Sequence, residues 1–263
     1  ELDVTVVDDP AGLPALAKAL RASEVVALEV WTEPGDARTA PLVGLALTGE
    51  EGRIWYLPFG HRAGDGELAA PEAVPVLPPL SDEACAPIRD LLADANVPKA
   101  GHDLKRDWQV LRAAGVELRG VAVDTMVTSA VLEPGRRSHA LETLALDHLG
   151  RAVSPPDELL GRGKKAVAAA EVAVADVARA AGARLDAVLA LRVVFAPSLS
   201  GMALEPLLRD IELPLIGVLV DMEWDGIALD PAVFRRLARE LAGDLERLER
   251  DITAAAGETF NLN

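Results

Sequence analysis

The 263-residue sequence has a single cysteine, Cys85, so it holds no internal disulfide framework and no cysteine-rich zinc site. That scarcity fits a reducing, cytoplasmic setting. Aromatic residues make up 3% of the chain, too few for a stacking platform under single-stranded nucleic acid. No run of about 18 apolar residues is present, which argues against a membrane span. Basic residues are the scarcer charge: 26 Lys and Arg against 42 Asp and Glu leave a net charge of -16. Nucleic acid and anionic membranes therefore feel no bulk attraction, and any contact with nucleic acid needs a local patch. Also missing are a GxSxG nucleophile turn, a dinucleotide GxGxxG after a strand, and HExxH spacing among His61, His102, His139 and His148. The histidines read as ordinary surface or capping residues. The first residue is Glu1 and no charged-then-apolar leader follows, as expected of a fragment of a longer protein.

What the sequence does have is apolar side chain. Half of its residues are hydrophobic and 26% are charged, enough to bury a core in one or two domains. The first half alternates strands with helices, the pattern of an α/β fold. Strands are expected at 3–7, 24–30, 41–48 and 53–57, the last two joined as a hairpin by the turn at 49–52, and again near 97–102 and 121–124. Between them, Asp9 and Pro10 open a helix carrying Leu13, Leu16 and Leu20. Pro71, Pro75, Pro78 and Pro79 make residues 60–80 a surface loop. Ser81 to Glu83 has capping chemistry for a helix through Ala95. Helices follow over 103–114, from Asp124 to Leu132, and from a Ser138 cap to Leu149. The Ala-, Val- and Leu-rich stretch 167–195 predicts a helix interrupted near Gly182 and ended by Pro197. A second unit then begins, with Pro206 and Pro214 implying a kinked helix over 204–225 and a long helix from Pro231 to Ala256, capped by Asp230.

Four stretches, in order and spacing, carry a resemblance: Lys99–Asp107 (KAGHDLKRD), Gly120–Met126 (GVAVDTM), Gly161–Lys165 (GRGKK), and the set from Ile211–Leu215 (IELPL) through Met222–Pro231 (MEWDGIALDP) to Phe260–Asn263 (FNLN). Together they cover nearly the whole chain. On them the sequence resembles the bacterial family A DNA polymerases, the DNA polymerase I family. The resemblance implies a ribonuclease H-like 3′ to 5′ exonuclease-like domain over residues 1–200. Residues 201–263 would then begin the polymerase module with a long thumb helix. It also implies a parent enzyme that copies DNA with Mg²⁺ in replication and repair, whose downstream palm and fingers region packs on helix 231–256.

In that family the exonuclease holds two divalent metals on four carboxylates, since hard Mg²⁺ or Mn²⁺ requires such oxygens. The first pair is an Asp and a Glu two residues apart on one strand face; here those positions are Glu29 and Trp31. Asp107 matches the second-motif aspartate, with Asp103 where the family commonly has Asn. In the third motif a Tyr and an Asp one helical turn apart fall on Arg179 and Ala183. The expected site is therefore degenerate, with no intact catalytic set and no metal or other cofactor bound by this chain.

Simpler readings stand beside these. Glu29 fits a paired structural carboxylate, Asp107 a solvated helix face, and Trp31 a packing residue filling the space of metal and substrate. Arg179 would neutralise Glu29 or Asp107, replacing a metal's charge with a guanidinium. Residues 161–165 lack phosphate-loop spacing and read as a basic surface loop. Two alternatives remain open: a working exonuclease with a rearranged site of Glu29, Asp107 and Asp186, and a non-catalytic nucleic-acid-binding domain.

Overall fold

Residues 2–62, 74–161 and 166–258 are described by the computed structural model. The β-branched and aliphatic runs become six strands: β1 (Asp3–Val6), β2 (Val26–Thr32), β3 (Leu42–Glu50), β4 (Arg53–Pro58), β5 (Lys99–Gly101) and β6 (Val121–Asp124). They form one mixed sheet in the order β1-β4-β3-β2-β5-β6. β3 and β4 make the expected antiparallel hairpin, with Gly52 at φ 81° in its turn, a conformation that costs glycine nothing. β2 runs antiparallel to β3, while the β1–β4, β2–β5 and β5–β6 pairs are parallel.

Side-chain alternation along β2 sorts its residues between two cores. Val26, Leu28 and Val30 join one core, against α1 (Leu13–Arg21), α2 (Ala86–Ala93) and α3 (Leu104–Ala113). Ala27 and Trp31 join the other. That second face is covered by α5 (Leu141–Leu149) and α7 (Val174–Gly201), with α4 (Thr125–Leu132) and α6 (Pro156–Leu160) beside them. α7 lies close to the sheet because it presents small residues there. A Cβ added to Gly182 would sit 3.3 Å from both Ile54 Cγ1 and Val4 Cγ2.

Here the structure departs from expectation. α7 begins at Val174, passes Gly182 without a break and continues through Pro197 to Gly201. Gly182 is held by packing that outweighs its helix penalty of about 1 kcal/mol. Pro197 is exposed in the last turns, where water can serve a carbonyl left without its partner, while Phe195 and Leu199 around it are buried. Ser138 is not the α5 cap: Ala140 takes that position, and Ser138 Oγ instead accepts the Ala140 N–H at 3.3 Å.

The proline pair in 204–225 acts as expected. α8 (Glu205–Leu207) carries Pro206 in its first turn, and a π-turn over Leu208–Glu212 leads into α9 (Leu213–Asp225), widening the backbone just ahead of Pro214. Leu208, Leu213 and Ile216 are buried against Trp108, Val127 and Val131. Residues 201–224 consequently belong to the first compact unit, and the division falls between Trp224 and Asp225 instead of at residue 200. The second unit holds α10 (Pro231–Ala256), whose cap Asp230 accepts the Ala232 N–H at 2.8 Å. Among the described residues no single helix is long and apolar enough to cross a membrane. Residues 63–73, 162–165 and 259–263 lie outside the described set, and with them much of the expected 60–80 loop, the basic loop and the final motif.

Tyr56 fixes how the hairpin packs. It is fully buried, its hydroxyl lies 2.8 Å from His61 Nε2, and a Cβ on Gly44 across the strand pair would stand 1.9 Å from that oxygen. Gly44→Ala should therefore destabilise the fold by about 1–3 kcal/mol, read as a lower urea midpoint with unchanged slope. An unchanged midpoint would mean that Tyr56 has room to move.

Candidate functional site

β2 delivers Glu29 and Trp31 to the α5/α7 side of the sheet at the mouth of a cleft of about 520 Å³. Arg184, from α7, is 8% exposed and lies in that cleft. Its Nε donates to Glu29 Oε1 and its Nη1 to Glu142 Oε1 on α5, with a further 3.3 Å bond from Nη1 to the Ser154 carbonyl. One guanidinium thus ties a strand, two helices and a loop together. Trp31 is 4% exposed and packs in the core, its indole N–H without an acceptor among the described residues.

The opposite wall comes from the segment after β5. Asp124, at the end of β6, accepts backbone N–H groups from Leu104 at 2.7 Å and Asp103 at 3.4 Å, and from Met126 at 2.9 Å and Val127 at 3.1 Å. It thereby caps α3 and α4 at once. Asp103, which precedes α3, sits at φ 58°, ψ 48°, a left-handed conformation that Asp and Asn tolerate better than other side-chain-bearing residues. One turn into α3, Asp107 is 5% exposed and accepts the Val30 N–H at 3.3 Å; its other oxygen takes no hydrogen bond from a described residue. Arg106 reaches Thr32 Oγ1 at 2.7 Å, and His102 Nδ1 lies 2.9 Å from Thr125 Oγ1.

Burial sets the electrostatics. Desolvation pushes the Glu29 carboxyl up despite the opposing pull of Arg184. Asp107 is pushed well above the ordinary range, first by burial and then by repulsion from Glu29. Asp103 rises to about 6, from burial and the neighbouring Asp124 charge. His102 falls to about 4 because burial, and then the Arg184 charge, disfavour its cation.

Glu29, Trp31 and Asp107 line one cleft. Arg179 does not join them: its side chain is 70% exposed and paired to Asp176 at 3.0 Å. Nor does Ala183 line the cleft. The position of α7 that faces Glu29 is Arg184, one residue on, and one turn before it stands Ala180. Asp186 is spoken for elsewhere, accepting the Gly52 N–H at 3.1 Å and pairing with Arg151 at 2.9 Å. Asp107 is not a solvated helix face, and His61 is buried between Tyr56 and the Val172 carbonyl. Sequence reasoning missed Arg184, although a signal was there. Val177, Ala181, Arg184, Val188, Leu191 and Phe195 recur at spacings of 4, 3, 4, 3 and 4, so Arg184 lies on the buried seam of α7 while Arg179 falls off it.

These residues do not fit a two-metal centre. Glu29 already has a buried cation, Trp31 offers no oxygen, and no group of three or more His, Cys, Asp or Glu is placed to hold a metal ion among the described residues.

A mixed sheet with a carboxylate cleft at the edge of α3, walled by α5 and α7, defines a ribonuclease H-like exonuclease-type domain. The same architecture occurs in Escherichia coli RNase D, with a TM-score of 0.62 at 16% identity, over 84% of this chain and 51% of that one. Residues 76–186 match the family described as DNA polymerase I, ribonuclease H-like domain, and the chain belongs to the DNA polymerase I family. It is 32% identical to DNA polymerase I of Pseudomonas aeruginosa over its whole length, covering 28% of that protein, and 34% identical to that of Chloroflexus aurantiacus over 99% of its length, covering 26%. The chain thus spans about a quarter of the length of these relatives. A Pol1 polymerase domain from M. smegmatis, solved with DNA primer-template and dNTP, has the same fold at a TM-score of 0.73 and 24% identity, over 98% of this chain and 38% of that one.

Asp103 gives a pH test. A carboxyl raised to about 6 in the folded chain binds more protons there than when unfolded, so its contribution to stability falls as pH rises from about 4 to 6. Asp103→Asn keeps the left-handed backbone and removes that loss. Its melting midpoint should match wild type at pH 4 and exceed it at pH 8; a constant offset across this range would rule out the titration.

Proposed function

We propose that this chain is the exonuclease-like N-terminal part of the large fragment of a cytoplasmic family A DNA polymerase, and that the domain is structural and does not hydrolyse DNA. The observation that carries this is the Arg184 guanidinium seated between Glu29 and Glu142, in the cleft where hydrolysis would require a divalent cation. Template-directed synthesis with Mg²⁺, and the contact with DNA, then belong to the parent enzyme downstream of Asn263. The test is direct. A labelled single-stranded oligonucleotide incubated with the chain and Mg²⁺ or Mn²⁺ should shorten no faster than in a chelator control; faster metal-dependent shortening would overturn the reading.

Two bare apolar faces support a longer parent. In the first unit, Ile211, Leu215, Val218 and Met222 recur at spacings of 4, 3 and 4 and are all exposed. In the second, Phe234, Leu237, Leu241, Leu245, Leu248 and Ile252 line one seam of α10, each at least 43% exposed. Burying each such side chain is worth about 1.5–3 kcal/mol, a strong drive to be covered. The downstream polymerase chain is the proposed cover of the α10 seam. Leu241→Glu should make the 263-residue chain less prone to self-associate in sedimentation, yet lower the melting midpoint of a polypeptide that includes the downstream region. Loss of stability in the short chain alone would place the cover within it.

A further inference from the structure

We propose that Glu223 is the centre of a polar latch that holds the last turn of α9 against α3, and that this latch sets the length of the tether leading to the second unit. It rests on the structural role proposed above and gives that role a specific contact. Glu223 is the last residue but one of the first compact unit, and residues 226–230 separate α9 from α10. One oxygen of its carboxylate accepts from Lys105 Nζ at 2.7 Å and the other from Gln109 Nε2 at 2.6 Å, while its carbonyl accepts from Arg38 Nη1 at 3.0 Å. Beside it, Arg112 Nη1 donates to Asp221 Oδ1 at 2.6 Å, and the same guanidinium lies 4.6 Å from the centre of the Trp224 ring.

A lone ion pair at the surface holds little. This contact holds more, because Gln109 is 7% exposed and Glu223 is its acceptor, so that removing the carboxylate strands a buried amide. The Glu223 carbonyl is among those a helix leaves without an internal partner at its C-terminus, and Arg38 supplies both a donor and a charge that suits the helix dipole. The bond from Lys105, and then that from Gln109, hold the Glu223 carboxyl below its ordinary range. The earlier turns of α9 are held differently. Leu213, Ile216 and Val220 are buried, and a Cβ added to Gly217 would stand 3.1 Å from Trp108 Cη2. That apolar clamp ends at Val220, so residues 221–225 depend on the latch, and their release would double the tether. The same elements build the cleft: Asp103, Arg106 and Asp107 line it from α3, and Thr32 and Pro34 line it just ahead of Arg38. The point where the chain leaves the first unit is thereby fixed to the cleft's own wall.

The experiment reads amide hydrogen exchange, residue by residue, by nuclear magnetic resonance on the 263-residue chain as wild type, Glu223→Ala, Lys105→Ala and the two combined. Glu223→Ala should speed exchange of the Met222 to Asp225 amides by about tenfold or more, the scale of a lost hydrogen bond to a charged group. Amides of β2 and of Gly217 to Val220 should keep their wild-type rates, as a local opening requires. Adding Lys105→Ala to Glu223→Ala should change little, because both remove the same contact. Wild type in 1 M NaCl should show the same local rise to a smaller degree, since salt screens the exposed part of the network. Unchanged exchange in the last turn of Glu223→Ala overturns the latch, as does a rise shared by the whole chain or additive effects of the two substitutions. Should Glu223→Ala not fold, Glu223→Gln, which keeps an acceptor for Gln109 without the charge, and the salt series decide between the same outcomes. Neither readout involves DNA or metal, so failure of the latch leaves the nuclease result standing, and nuclease activity would leave the latch standing.

Discussion

A carboxylate on an inner strand of a sheet, shut away from water, needs positive charge beside it, and the cleft is arranged around that need. Glu29 sits on β2, with strands on both sides and α7 over it. Leaving such a group alone and charged would cost several kcal/mol, and breaking a buried pair by removing one partner typically costs about 3–5 kcal/mol. Arg184 meets the need from α7, and Glu142 completes the pairing from α5. The attachment of the helical layer to the sheet is therefore part electrostatic, beside the apolar contact that Val177, Leu185, Val188 and Leu191 of α7 make in the same core.

Much of the framework was legible in the sequence because it rests on local chemistry. The strands β1 to β4 are short apolar runs bounded by turn residues, and the Gly52 turn leaves them little choice of partner. Asp230 before Pro231 fixes the start of α10 in the same way. The failures came where tertiary packing outweighed local preference. Pro197 reads as a stop, yet neighbours Phe195 and Leu199 are held by the core and the helix runs on. The boundary that the resemblance implies near residue 200 falls inside the first compact unit, because Leu208, Leu213 and Ile216 attach that segment to Trp108.

The site divides along the same line. Glu29, Trp31 and Asp107 came from the resemblance, which carries over cleanly where the strand and the KAGHDLKRD stretch match the family's motifs without gaps. The third element was harder, because neither Arg179 and Ala183 nor Ala180 and Arg184 supply the hydroxyl and carboxylate that would anchor an alignment. An error of one residue rotates a helix by about 100° and moves a side chain from cleft to solvent. Only the buried period from Val177 to Phe195 separates the two registers.

The carboxylate of Asp124 terminates two helices, and this makes α3 and α4 dependent on each other. Their first turns share one set of acceptor atoms, so a fluctuation that withdraws that side chain strips partners from four amides in two elements simultaneously. Opening either helix start alone would gain little entropy and still expose the buried acid. The two ends are thus expected to unfold together as one cooperative unit, so that the cleft's α3 wall loosens when the start of α4 does.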